Sequence, residues 1–559
     1  MLVKVDSVAP VGLKSLGITV EVDIASRGLP SFDIVGLPNK ATTESRHRIK
    51  TALVNLDLDF PSKKRITVNL APADVPKHGS FYDLPIAVGL LALIHGLEIP
   101  KKALFFGELS LDGSLRHSKG AFLLALFAKE KGYKKVFVPK SNVREVSAVP
   151  GLEVFSIENL VDLFEILKGG SVKRPLSVSC SSSGEGDSQD STTKYIHNPK
   201  TDQNPPTKAT KFEYDMTDIV GQAKIKRALE ISAAGGHNFL MIGPPGAGKT
   251  LLAKAFRSIL PPLTNNESLE VTKIYSAVGS IPPGGSLIRK RPFKAPHHTI
   301  SYAGMVGGGS VPQPGVISLA HRGVLFMDEF PEFPRSILEM LRQPLEEGKV
   351  TISRSLGSFT FPCRFILIAA GNPCPCGFFG SNQTCTCSPG QIRRYKKKLS
   401  GPILDRIDLF CRVRPVDTEK LRFAGEAADS KVKTAAIGRV CSPDSLDFAG
   451  ATKETVAGNI ETSNEIRKRV VSARKIQGER LKKASIYLNA EMKNKHIKKF
   501  CKPDLQAERL LQRAGNTFNL SARSYFKVLK VARTIADLSD SQKIKETHVA
   551  EALQYRNKK

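Results

Sequence analysis

The run FLMIGPPGAGKTLLAKAF, residues 239–256, constrains this chain more than any other part of it. Four apolar residues predict a buried strand, a glycine-rich turn follows, and LLAKAF carries helical spacing. Within the run Gly243, Pro244, Pro245, Gly246, Ala247, Gly248, Lys249 and Thr250 fit the pattern G-x-x-x-x-G-K-T. The glycines let backbone N–H groups converge on phosphate at a helix start, Lys249 reaches the β and γ oxygens, and Thr250 holds magnesium. The expectation is an α/β unit that takes ATP and Mg2+.

Two further apolar runs end in residues that suit the same chemistry. GVLFMDEFPEF, residues 323–333, puts Asp328 and Glu329 after a strand. Asp328 is placed to hold a magnesium-bound water, and Glu329 to polarise the water that attacks the γ-phosphate. FILIAAGNP, residues 365–373, ends in Asn372, whose amide can orient that water. Each feature alone is common; with the phosphate loop they form one site.

NPCPCGFFGSNQTCTC, residues 372–387, carries Cys374, Cys376, Cys385 and Cys387 as two C-x-C pairs. Four soft thiolates suit a closed, structural, tetrahedral Zn2+ site, with unliganded buried thiols, a redox device or another metal as alternatives. The next residues, SPGQIRRYKKKL, predict a helix with Ser388 as its cap, Pro389 in its first turn and Gln391 completing a capping box. Its Arg393, Arg394, Lys396, Lys397 and Lys398 either touch DNA or keep a solvent face charged. The other five of the nine cysteines are scattered, so no secreted disulfide framework is expected. The N-terminal residues lack a signal-peptide pattern, and no apolar stretch reaches about 18 residues, so the expected setting is cytoplasmic, with no membrane.

Lys and Arg outnumber Asp and Glu by 83 to 53, a formal charge of +30. Nucleic acid is the natural partner, because each neutralised phosphate releases counterions. Residues 279–315 are rich in glycine and proline and cluster Arg289, Lys290, Arg291 and Lys294, which would contact phosphates; His297 and His298 either help or make a turn. EEGKVTISRSLGSFTFPCRF, residues 346–365, predicts a hairpin whose Lys349 and Arg354 either track a nucleic-acid backbone or line a solvated edge.

The chain is long enough for roughly three or four domains. Residues 1–168 alternate strand-like and helix-like runs, and residues 169–211 form a polar linker. Residues 212–415 hold the nucleotide motifs, residues 416–460 form a weakly patterned insertion, and residues 461–559 are helical with Ser463 as a candidate first cap.

HNFLMIGPPGAGKT, RPFKAPHHTIS, GVLFMDEFPEF, NPCPCG, LDRIDL and SARSYFKVLKVARTIADL together resemble the Mg-chelatase-like branch of the AAA+ ATPases. The resemblance is closer to the competence-associated ComM/YifB family and covers nearly the whole chain outside the linker and insertion. It implies a ribosomal-S5/Lon-C-like N-terminal domain, a central AAA+ core and an all-helical C-terminal lid. Arg406 in GPILDRIDL, read alone, fits a surface salt-bridge partner; by the resemblance it looks like the arginine finger that enters a neighbour's site, and Arg523 in LSARSY like the sensor arginine of the lid. Residues 279–315 resemble the family's helix insertion, which reaches a central pore. The implied protein is a homo-hexameric, ATP-driven DNA motor that migrates branches during recombination and natural transformation, with single-stranded or branched DNA and recombination proteins as partners. A Mg-chelatase-like ATPase subunit and a general AAA+ protein remodeller are the alternatives. KHGSFYDLPIAVGLLAL resembles a Lon-type nucleophile helix, yet Asp83 and its neighbours replace the serine turn. Ser80 and Lys119 are the weak pair left for proteolysis, and a DNA-binding or assembly role is favoured.

Overall fold

The computed structural model describes residues 2–73, 77, 79–169, 194–196, 212–309, 312–354, 357–381, 383–399, 401–415, 461–484 and 486–556. Most of the expected linker and the whole expected insertion lie outside these residues. Within the linker stretch, Lys194–Ile196 pairs antiparallel with Glu153–Ile157.

Near the N-terminus, alternating runs pair as their pattern requires. Leu2–Val11 and Lys14–Ala25 form a long antiparallel pair, extended by Arg65–Ala71 and then Ser31–Val35. Asp83–His95 is an almost wholly buried helix on this sheet. A second sheet orders Lys194–Ile196, Glu153–Ile157, Lys135–Pro139 and Ala103–Phe105.

The central sheet is five-stranded and parallel, in the order Phe293–Lys294, Val324–Met327, Ile366–Gly371, Phe239–Ile242, Leu409–Arg412. Its inner strands are near-continuous apolar runs because both faces are covered. Phe239, Met241, Phe326 and Ile368 turn to one core, while Leu240, Leu325, Met327 and Leu367 turn to the other. The strand that ends at Gly371 lies between the phosphate-loop strand and the Asp328 strand. This order brings three sequence-distant strand ends to one edge.

Leu505–Phe518, Ala522–Leu538 and Glu546–Gln554 are helices, as their spacing predicts. The helix Ser463–Leu481 departs from expectation at its start. Thr462 is its cap, in a capping box with Glu465, and Ser463 is buried inside the first turn. The Ser463 hydroxyl instead accepts from the Met216 N–H at 2.8 Å and meets Ser258 Oγ at 2.6 Å. That helix and the C-terminal helices share one apolar core with the phosphate-loop face of the sheet. Among the described residues, no helix is long and apolar enough to cross a membrane.

The N-terminal unit touches the central one through named groups. Ser276 Oγ donates to Glu145 at 2.6 Å, the Gly284 N–H donates to the Ser141 carbonyl at 2.9 Å, and Leu269 and Leu287 join the N-terminal core.

Candidate functional site

The phosphate loop leaves strand Phe239–Ile242 and enters helix Lys249–Ile259. Gly246 and Gly248 take left-handed φ values of 73° and 81°, and a Cβ at either would meet nothing within 4 Å. Their backbone therefore faces open space, as a phosphate cradle must. Lys249 Nζ donates to the Gly243 and Pro244 carbonyls at 2.7 and 2.9 Å and to Asn372 Oδ1 at 3.0 Å. All three acceptors are neutral, so a buried ammonium at the centre of the loop lacks a directly bonded anion. Burial pulls its pKa down, against the fields of Asp328 and Glu329. A bound triphosphate would supply the ammonium with an anionic acceptor.

Thr250 Oγ1 donates to Asp328 Oδ2 at 2.7 Å, so the hydroxyl and carboxylate expected to share magnesium already adjoin. When bound, Mg2+ neutralises charge on the phosphate oxygens. Asp328 Oδ1 also accepts from the Glu329 N–H at 2.9 Å. Glu329 takes a left-handed backbone, φ 50°, which turns its exposed side chain away from the strand line. There Glu329 Oε2 lies 3.2 Å from His298 Nδ1. His298 also packs against His297 and the edge of Phe333. This link joins the glycine- and proline-rich segment to Glu329, and sequence spacing gave no sign of it.

Arg406 and Arg523 come together elsewhere. Both guanidinium groups bond the same carboxylate oxygen of Glu346, at 2.5 Å from Arg406 and 2.8 Å from Arg523. Together they hold the Glu346 pKa below its ordinary value despite its desolvation. Neither arginine bonds a residue of the phosphate loop. Glu346 opens the hairpin stretch, but sequence reasoning gave it no role.

The four cysteines converge. Cys374 Sγ is 3.4 Å from Cys376 Sγ and 3.8 Å from Cys385 Sγ, Cys376 is 3.5 Å from Cys385, and all four sulfurs lie within 4.8 Å of one another. The Cys376 N–H donates to Cys387 Sγ, and the Phe379 N–H to Cys374 Sγ. A hydrogen bond from the Phe378 backbone leads the effects that lower Cys376 to about 5. The helix that follows has its Ser388–Gln391 capping box.

Several basic residues sit differently from expectation. Arg291 is buried, not a free phosphate contact. It donates to the Pro261, Pro262 and Arg322 carbonyls and pairs with Glu267 at 2.9 Å. Lys294 is half-buried over Tyr275, whereas Arg289 and Lys290 are exposed. Lys396 lies over Phe379 and Lys398 pairs with Glu332, whereas Arg393, Arg394 and Lys397 are exposed and form no ion pair among the described residues. The expected hairpin forms from Lys349–Arg354 and Gly357–Pro362, with Lys349 and Arg354 exposed. In the N-terminal unit the Ser80 hydroxyl donates to Glu108, while the Lys119 stem packs over Gly279. No hydrogen bond joins Ser80 to Lys119, and Asp83 is a buried partner of Arg48.

Comparison with known proteins agrees with this arrangement. Residues 215–421 match the family Magnesium chelatase, subunit ChlI; residues 20–142 match Subunit ChlI of Mg-chelatase; residues 460–556 match its C-terminal family. Competence protein ComM of Haemophilus influenzae is 39% identical over 550 residues, covering 98% of this chain and 96% of that protein. YifB of Escherichia coli is 39% identical over 552 residues, with the same coverage. The magnesium-chelatase 38 kDa subunit of Rhodobacter capsulatus is 27% identical over 183 residues, 29% of this chain and 51% of that subunit. The chain belongs to the Mg-chelatase-like ComM/YifB family of AAA+ ATPases.

Proposed function

We propose that the protein is a cytoplasmic ring motor, a homo-hexamer, that couples ATP hydrolysis to the migration of branched DNA during recombination and natural transformation. The observation that carries the ring is the Arg406–Glu346–Arg523 cluster, which holds two arginines away from their own phosphate loop. An arginine serves phosphoryl transfer by neutralising charge that builds in the transition state. In this reading both leave Glu346 on assembly to serve the γ-phosphate of a neighbouring subunit, and hydrolysis then waits on assembly. Within one subunit, Lys249 and Thr250 position the phosphates and metal, Asp328 holds a metal-bound water, Asn372 orients the attacking water and Glu329 takes its proton. His298 holds Glu329 until substrate arrives, which ties the basic segment to catalysis.

DNA as the track is supported by the net charge of +30 and by the exposed Arg289, Lys290, Lys349 and Arg354. The name of the Haemophilus relative, a competence protein, supports the setting, with recombination proteins as partners. We read the N-terminal unit as S5/Lon-C-like in fold and as a DNA-binding or assembly domain. Zn2+ on the four cysteines is the third cofactor of this reading, after ATP and Mg2+. A chelatase-subunit role is favoured by the three chelatase-family matches, but the Rhodobacter subunit covers only 29% of this chain. ATPase rates with and without single-stranded and four-way-junction DNA, alongside junction migration, test the proposal. DNA stimulation with migration is expected. Stimulation only by a protein partner would replace it with the remodeller or chelatase reading.

A further inference from the structure

The two cysteine pairs lie beside the nucleotide pocket, not merely near it in sequence. A cavity of about 400 Å³ is bounded on one side by Pro244 and Gly248 of the phosphate loop. Phe378, Ser381 and Gln383, from the loop between the cysteine pairs, bound another side. The contact between the two loops is close. A Cβ on Gly377, whose φ is 88°, would come within 2.6 Å of the Pro245 ring. The Gly377 N–H closes a turn onto the Cys374 carbonyl at 3.0 Å. Cys374 itself stands two residues beyond Asn372, which bonds Lys249.

The sulfur positions suit a metal rather than disulfides. A tetrahedral zinc ion with Zn–S bonds of about 2.3 Å sets its sulfurs about 3.8 Å apart. The separations of 3.4, 3.5 and 3.8 Å among Cys374, Cys376 and Cys385 lie at or just below that value, and Cys387 Sγ is within 4.8 Å of all three. A disulfide would bring a pair to about 2.0 Å. Backbone N–H groups of Cys376 and Phe379 point at two of the sulfurs, as the outer shell of a thiolate site requires.

We propose that a zinc ion on Cys374, Cys376, Cys385 and Cys387 sets nucleotide affinity by fixing the loop carrying Phe378 and Ser381 as a wall of the ATP pocket. The proposal rests on the nucleotide reading above. Between Cys376 and Cys385 the loop GFFGSNQT has two glycines and four polar residues, its Phe378 is only half-buried, and Phe379 and Gly380 are exposed. Such a loop buries too little to order itself, so a cross-link at its base carries the ordering. Metal and nucleotide then favour the same loop conformation, and each must strengthen the other's binding by the same factor.

The test uses the full chain, a fluorescent mant-ATP probe and metal analysis. Wild type purified without added metal should hold about one zinc per chain. Stripping zinc with a chelator should weaken mant-ATP binding about tenfold, and restoring zinc should recover it. Saturating ATP should slow zinc transfer to a chromogenic chelator, a readout independent of hydrolysis. Phe378→Ala should keep its zinc yet bind mant-ATP several-fold more weakly, which covers the case in which the zinc-stripped chain unfolds. Less than half an equivalent of zinc, or equal mant-ATP affinity with and without zinc, would overturn the proposal. Normal mant-ATP affinity in Phe378→Ala would overturn it too. Failure of the nucleotide reading looks different: zinc-loaded wild type would then bind no mant-ATP at all, and Lys249→Ala would change nothing.

Discussion

Lys249, Glu329 and His298 are coupled, Lys249 to the field of Glu329 and Glu329 to His298 at 3.2 Å, but they answer different measurements. Lys249 has only neutral oxygens around its ammonium, so Lys249→Ala should lose most mant-ATP affinity. Glu329→Gln keeps the shape and should bind ATP normally while hydrolysis falls by at least about a hundredfold. Equal loss of binding in both variants would contradict these roles. His298→Ala should change the turnover rate and its response to DNA, leaving mant-ATP affinity within about twofold; an affinity loss equal to that of Lys249→Ala would contradict the link to Glu329. The phosphate loop and Asp328 were legible in sequence because adjacent residues on a strand–turn unit carry their chemistry. His298 and Glu346 were not, since each gains its meaning from a partner 31 or more positions away, at Glu329, Arg406 and Arg523.

Among the elements, patterning predicted the hairpin, the buried parallel strands and the late helices, because the repeat of apolar residues is a local signal. It failed where tertiary partners decide. Arg291 sits in a run of basic residues that looks like a solvent-facing patch, yet its guanidinium bonds the carbonyls of Pro261 and Arg322 and so joins two segments distant in sequence. Arg291→Ala should therefore destabilise the fold by about 3 kcal/mol, since Glu267 is left without its buried partner. Arg289→Ala with Lys290→Ala should leave the melting temperature unchanged. That pair should instead lower the salt slope of DNA binding by about 1 to 2. An unchanged slope would remove this segment from the DNA path. Ser463 failed for a related reason: its hydroxyl is spent on Met216 and Ser258, so the cap moves back to Thr462.

Across the whole molecule, the C-terminal helices and the central sheet share an apolar core and a buried charge. Asp408 is desolvated, but Lys530, His237 and Lys527 overcome that and hold its pKa below the ordinary aspartate value. Lys527 also donates to the Ile407 carbonyl at 2.8 Å, pinning the lid helix beside Arg406. A depressed carboxylate contributes stability above its unfolded pKa and loses it as pH falls through the folded one. Stability from Asp408 should thus be flat near neutrality and decline only below about pH 4, measured by urea unfolding. Asp408→Asn should lose about 3 kcal/mol at pH 7 and flatten that acid limb; an acid limb identical to wild type would contradict the assignment.

The central claim is that each catalytic site is completed by the next subunit, and mixing two inactive variants measures it most directly. Glu329→Gln keeps its arginines but cannot activate water; Arg406→Ala keeps its own site but offers no finger. Each alone should hydrolyse ATP about a thousandfold more slowly than wild type. Co-assembled in equal amounts, random mixing pairs an intact site with an intact finger at about one contact in four, and a matching share of activity should return. A mixed ring that stays inactive at every ratio, or an Arg406→Ala protein as active as wild type, would contradict the account.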